Sequence, residues 1–260
     1  FESSISNINN DEETGVGMIT ENIKNMTEKN AIVNYMKYAG IKEFAIKAAL
    51  VDCDGVLYDS MKNHSRAWVK LMTKNGIKCS RDEFYLIEGM VGTEVIKTKF
   101  KTGAGKVITD DEALALYQVK GRYFRELGDV PMIAGTLDVL NYLKDNGIHS
   151  VLVTGSQQGS LLERIEQDYP GIFGERRVTG HDVRRGKPNP EPYLKGIAHA
   201  GVKACECIVI ENAPLGVQAA HAAGCFTVAV TTGPINEKEL YKAGADMVYP
   251  NMQALLAALP

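Results

Sequence analysis

Two carboxylates stand two residues apart at Asp52 and Asp54, with Gly55 directly after them. They close a run of strand-forming residues, Ala48-Ala49-Leu50-Val51. Residues i and i+2 of a strand point to one side, so the two side chains lie together where the strand ends. In an open α/β sheet the carboxyl ends of strands are where ligands bind. Two like charges at that distance call for a cation, or for a proton on one of them. The first suits a divalent metal and the second an acid/base role. Gly55 lets the chain turn sharply beside a ligand. An acidic strand end followed by a turn is the plainer reading of the same residues.

Three further polar clusters fall at or after the ends of expected strands. They are Thr154-Gly155-Ser156, the loop Gly186-Lys187-Pro188-Asn189-Pro190-Glu191, and Glu211-Asn212. Each has an ordinary reading. The first could be a helix cap, Lys187 an exposed loop lysine, and the third a helix start before Pro214. Together they hold what phosphoryl transfer needs. A carboxylate attacks and a second one handles the proton. A hydroxyl and a backbone amide hold phosphoryl oxygens, and a lysine with a metal offsets charge.

The elements that must position these groups follow from periodicity. Residues 31–39 read as a short helix ended by Gly40. Expected helices over Met61–Gly76, Arg81–Glu88, Thr93–Phe100 and Asp110–Leu127 follow the first strand with no strand among them. Glu88 reads as the last residue of its helix. After Pro131 strands and helices alternate. The strands are His149–Thr154, Arg177–Thr179, Glu206–Glu211, Phe226–Val230 and Met247–Tyr249. The helices are Thr136–Asn146, Leu161–Tyr169, Glu191–Ala200, Leu215–Ala223 and Glu237–Ala243. This pattern predicts an α/β fold, a parallel sheet with helices on both faces. The expected division is an N-terminal extension at 1–45, a core at 46–60 and 131–258, and an inserted all-helical module at 61–130. Residues 1–30 read as a weakly folded or surface-packed extension.

The 260 residues carry a formal charge of −3, which argues against nucleic acid as a partner. No apolar run approaches a membrane span. The five cysteines form no disulfide or zinc pattern and read as free thiols of a reducing compartment. No secretory signal is read, so a cytoplasmic location is expected. Glycine-rich nucleotide fingerprints are absent. Oligomeric state is not readable, and a monomer is compatible with the sequence.

The four motifs, in this order, resemble the haloacid dehalogenase superfamily over roughly residues 46–255. They run Asp52-Cys53-Asp54-Gly55-Val56-Leu57-Tyr58-Asp59-Ser60, then Thr154-Gly155-Ser156, then Gly186 to Glu191, then Glu211-Asn212-Ala213-Pro214-Leu215-Gly216-Val217. The chain is most similar to the β-phosphoglucomutase and small-phosphatase branch, including bacterial pyrophosphatases and sugar-phosphate phosphatases. The resemblance implies a Rossmann-like core and a helical cap. It implies Asp52 as nucleophile through an aspartyl-phosphate, and Asp54 as general acid/base. Thr154, the Gly155 backbone and Lys187 would hold the phosphoryl group. Mg²⁺ would be bound by Asp52, Asp54, Glu211 and Asn212, with Glu88 of the cap a further candidate. His64 and Lys120 fall where the mutase places polar cap residues.

Two departures matter. Asn212 stands where an aspartate is commoner, which keeps an oxygen ligand and loses a charge. The loop Glu88-Gly89-Met90-Val91-Gly92-Thr93 lacks the substrate-gripping arginine of many relatives. The expected function is a Mg²⁺-dependent phosphohydrolase of small phosphorylated metabolites, a sugar phosphate or pyrophosphate. The alternatives are a β-phosphoglucomutase-type transferase and, from another class, a non-catalytic phosphate-accepting or ligand-binding protein.

Overall fold

The computed structural model describes residues 27–156 and 159–259. The chain divides into two compact units, Phe1–Phe44 and Ala45–Pro260. In the first, helix α1 covers 27–39 and begins four residues earlier than its apolar spacing predicts. It stops at Gly40, whose φ of 65° is open to glycine at little cost. The extension expected at 1–30 lies outside the described residues up to position 26.

The second unit is built on six parallel strands in the order β3-β2-β1-β4-β5-β6. They are β1 (Ala48–Val51), β2 (His149–Val153), β3 (Arg177–Val178), β4 (Cys207–Glu211), β5 (Phe226–Val230) and β6 (Met247–Tyr249). All but the tips are buried apolar runs, because helices cover both faces. On one face Ala48, Leu50, Val151, Val153 and Val209 pack against Tyr193 of α8 (Glu191–Ala200) and Ala219 and Ala220 of α9 (Pro214–Ala222). The strand order reverses at β1. The chain runs outward to β2 and β3, then returns to β4 on β1's other side. That reversal makes the end of β1 the crevice where a ligand fits. Register brings Val51 level with Leu152 of β2 and Ile210 of β4, so Asp52 emerges between the tips of its neighbours.

Between β1 and the crossover helix α6 (Thr136–Asp145) that leads to β2, four helices are inserted: α2 (Met61–Lys74), α3 (Arg81–Leu86), α4 (Gly92–Ala104) and α5 (Asp110–Arg125). Their apolar faces meet in a separate core of Trp68, Leu71, Phe84, Ile96, Phe100 and Tyr117. Reciprocal caps start two of them, Ser80 with Glu83 and Thr109 with Glu112. Each such cap contributes about 1 kcal/mol. The module's two connections to the sheet pair with each other, since Asp59 N–H donates to Pro131 O and Ile133 N–H to Leu57 O. The remaining helices are α7 (Gly159–Asp168), α10 (Glu237–Ala243) and α11 (Met252–Leu256).

Two expectations are corrected, and one further helix is present. Helix α3 stops at Leu86, so Glu88 sits in the turn beyond it and does not oppose that helix's dipole. Helix α4 runs on to Ala104, because Thr102 and Gly103 hide its period and Gly105 ends it at φ 64°. Helix α11, capped by Asn251, is too short for periodicity to disclose. No helix among the described residues is long and apolar enough to cross a membrane.

Candidate active site

The tips of β1, β2 and β4 and the loop before α8 converge as the residue spacing predicts. Asp52 is 6 % exposed. Its Oδ1 accepts from Lys187 Nζ at 2.5 Å, and the same ammonium donates to Glu211 Oε1 at 2.6 Å. One cation therefore serves two buried carboxylates. Burial and the Glu211 charge push the Asp52 carboxyl up to about 7, against the pull of Lys187. Burial lowers Lys187, but the two carboxylates outweigh it and hold its ammonium well above the ordinary lysine value.

Glu211, expected among the metal ligands, is tied into the site by four hydrogen bonds. Its Oε1 accepts from Lys187 and from Tyr193 Oη at 2.7 Å. Its Oε2 accepts from the backbone N–H of Asn212 at 2.9 Å and of Ala213 at 3.2 Å. These bonds fix Lys187 and the turn into α9. Gly216 makes room for this carboxylate, since a Cβ there would lie 1.8 Å from Glu211 Oε1.

Asp54 has a separate set of partners. Its Oδ1 accepts from Ser60 Oγ and lies 3.0 Å from His64 Nε2. His64 Nδ1 in turn lies 2.5 Å from Lys120 Nζ. Burial pushes the Asp54 carboxyl up, but His64 and the Ser60 hydroxyl outweigh it and hold the group well below the usual carboxylate range. Lys120 is 2 % exposed, with its ammonium 4.9 Å from the Trp68 ring and 5.5 Å from the Phe124 ring. Burial brings it down to about 8, against the pull of Glu88 and Asp54. The His64 ring stacks on Phe124 at 4.2 Å, which fixes its plane. His64 and Lys120 thus reach Asp54 from α2 and α5. Ser60, at the end of the first motif, and Tyr193, beyond the third, are participants to which the sequence reading assigns no role.

Thr154 is 3 % exposed, and its Oγ1 accepts from Ser156 N–H at 3.1 Å. Its own proton then remains to donate. Gly155 and Ser156 line a chamber with Asp52, Asp54, His64, Glu88 and Lys120. Glu88 is half-buried, and burial with the charge of Asp54 pushes its carboxyl well up.

Glycines bring the helical module onto the core. A Cβ on Gly155 would meet Gly89 O at 3.1 Å, and one on Gly89 would meet Lys187 Cδ at 2.7 Å. One on Gly186 would stand 2.8 Å from Val91 Cγ2 and 2.9 Å from Val91 N. At position 186 the second obstacle is backbone and cannot turn aside. Gly186→Ala should therefore keep the module from seating. We expect kcat to fall on the order of tenfold to a hundredfold, with the urea unfolding midpoint close to the parent's. A variant with unchanged kcat would show that this seam is not needed for turnover.

The profile of the haloacid dehalogenase-like hydrolases matches residues 46–224. The chain belongs to this family of enzymes. Among curated haloacid dehalogenase-like relatives, Hexitol phosphatase A of Escherichia coli (strain K12) is 30% identical over 200 residues, covering 75% of this chain and 89% of that protein. Beta-phosphoglucomutase of Bacillus subtilis (strain 168) is 27% identical over 196 residues, covering 72% and 84%. A solved structure described as a putative beta-phosphoglucomutase from Bacteroides vulgatus superposes with a TM-score of 0.85 at 41% identity, covering 90% of this chain and 95% of that one.

Haloacid dehalogenase-like phosphatases generally use Mg²⁺, and this chain's residues fit such an ion. Asn212 is 1 % exposed, its Nδ2 donates to Met61 Sδ, and its Oδ1 has no hydrogen-bond partner. A buried amide oxygen without a donor is a ready ligand for a hard cation. The uncompensated charge of the Asp52–Lys187–Glu211 cluster favours one too. No group of three His, Cys, Asp or Glu side chains forms a metal cage among the described residues.

Proposed function

We propose that this enzyme is a Mg²⁺-dependent phosphohydrolase of small phosphorylated metabolites, polyol or sugar phosphates foremost. The observation that carries the reading is the separation of two carboxylates two residues apart. Asp52 is held by Lys187 at the phosphoryl end, and Asp54 by Ser60 and His64. Pairing with the Lys187 ammonium keeps the Asp52 carboxylate at hand for attack, and the Ser60 hydroxyl and His64 ring offer Asp54 partners for passing a proton.

Asp52 attacks phosphorus, and the bond to the leaving oxygen breaks. Asp54, ionised while it accepts from Ser60 and His64, takes up a proton as the anionic substrate settles beside it, and gives that proton to the leaving oxygen. It then takes a proton from the water that attacks the aspartyl-phosphate, which frees phosphate and restores Asp52. Lys187, the Thr154 hydroxyl and the Gly155 N–H hold the phosphoryl oxygens. Mg²⁺, when bound by Asp52, Asn212 and the Asp54 carbonyl, supplies positive charge against the phosphoryl group. Residues 61–130 act as the cap that shields the reaction.

A second reading, the mutase, has support in the 41% identity to the Bacteroides vulgatus protein. Against it, the cap loop brings the Glu88 carboxylate to the chamber, and Gly92 is packed against the Tyr117 ring. Neither can grip the second phosphate of a bisphosphate. Phosphate release should be measured over hexitol phosphates, hexose phosphates, nucleotides and pyrophosphate. Isomerisation of β-glucose 1-phosphate with negligible release would replace the hydrolase reading by the mutase.

Glu88 completes the metal's surroundings in this proposal, because Asn212 brings no charge. Glu88→Ala should raise the Mg²⁺ concentration for half activity and lower turnover by roughly a hundredfold. Mn²⁺ binding followed by electron paramagnetic resonance should weaken in parallel. Titrations that overlay the parent's would remove Glu88 from the metal.

A further inference from the structure

Two cavities meet at Asp54. The chamber under the cap, bounded on that side by Trp68, Phe84 and Tyr117, has a volume of about 50 Å³. The second lies at the base of the cap, beside the connections at 58–60 and 126–131, and has a volume of about 320 Å³. Asp54, His64 and Ser156 line both. A phosphoryl group seated at Asp52 thus has room for little else beneath the cap. The larger space begins at the carboxylate that the proposed reaction assigns to the leaving oxygen.

The lining of the larger cavity speaks for what it takes. The Arg125 guanidinium offers five N–H donors and has no hydrogen-bond or ion-pair partner among the described residues. Asp129 adds acceptors and Ser60 a hydroxyl. Tyr58 and Phe124 supply ring surface. Arg164 is already committed, with Nε to Asp168 Oδ2 at 3.1 Å and its charge 4.5 Å from the Tyr58 ring. Donors, acceptors and apolar walls in one cavity suit a chain of hydroxyls, each of which both donates and accepts. Asp54 and Asp129 balance the guanidinium charges of Arg125 and Arg164, so the lining has no net positive charge to call for a second phosphate.

We infer that the cavity at the base of the cap is a subsite for the neutral polyhydroxylated part of the substrate, with Arg125 and Asp129 as its polar anchors. This rests on the phosphohydrolase reading. The phosphoryl group lies at Asp52, Thr154 and Lys187, the leaving oxygen at Asp54, and the carbon chain runs on past Ser60 toward Arg125. Specificity for that chain is then set by the connections and α5, and not by the cap loop at 88–93.

The test compares sorbitol 6-phosphate, which would fill the subsite, with acetyl phosphate, which is too short to reach it. The parent should hydrolyse both. In Arg125→Ala the ratio of kcat/KM for sorbitol 6-phosphate to that for acetyl phosphate should fall about tenfold, through KM, as for one lost hydrogen bond to a charged group. Leu161→Trp, which fills the cavity from α7, should lower the same ratio by at least as much. A ratio within about twofold of the parent's in both variants would overturn the subsite. A parent that hydrolyses acetyl phosphate but no polyol or sugar phosphate overturns the subsite and leaves the phosphohydrolase reading standing. A parent that hydrolyses neither overturns both.

Discussion

Asp52→Asn should reduce phosphate release by a factor on the order of 10⁴ or more, as loss of a nucleophile does elsewhere. An amide does not attack phosphorus as a carboxylate does. The fold should survive the change. Asn has the same shape, and Lys187 keeps Glu211 as its partner at 2.6 Å. Removing one of two carboxylates that share a single ammonium also relieves a buried charge. Acid-quenched parent mixed with substrate should carry phosphate covalently on residue 52, and the variant should carry none. Phosphate release within about tenfold of the parent would remove Asp52 from the nucleophile's role.

Lys187→Met should be damaging twice over. The methionine stem fills most of the lysine's volume, but Asp52 and Glu211 are left facing each other in the core. Their side chains are 8 % and 1 % exposed, so solvent does not stand in for the lost ammonium. Removing one partner of such a buried cluster destabilises by about 3–5 kcal/mol. Turnover should fall as well, because the phosphoryl group loses its fixed positive charge. The loss of stability has a sign in pH. A buried carboxyl without its cation binds protons more tightly folded than unfolded, so the variant's deficit against the parent should shrink from about pH 8 to about pH 5. Urea unfolding at several pH values checks this. A variant as stable as the parent at the upper end would show that the cluster is not held together by Lys187.

Asp52, Asp54, Thr154 and Lys187 are legible in the sequence because strand alternation and the β/α order bring four short motifs to one edge. The direction in which Glu211 spends its oxygens is not legible. It depends on Tyr193, 18 residues away, and on the backbone turn at 212–213. Gly216 carried a trace of it, since a glycine near the start of a helix has to answer to some neighbour. His64 and Lys120 are ordinary helix residues until α2 and α5 bring them together 56 positions apart. Glu88 misled through its apparent place at a helix end, which the early stop of α3 removes. What space the glycines at 89, 155 and 186 keep open shows only where cap and core meet.

The cap's aromatic packing has an optical consequence. The chain contains a single tryptophan. Trp68 lines the chamber, stacks on Phe84 at 5.7 Å and has the Lys120 ammonium 4.9 Å from its ring. Indole emission responds to nearby charge and to water. Every step that moves the cap, fills the chamber or changes the charge at Lys120 therefore registers on one chromophore. The enzyme carries an intrinsic fluorescent reporter of its own cycle, readable in rapid mixing without a label.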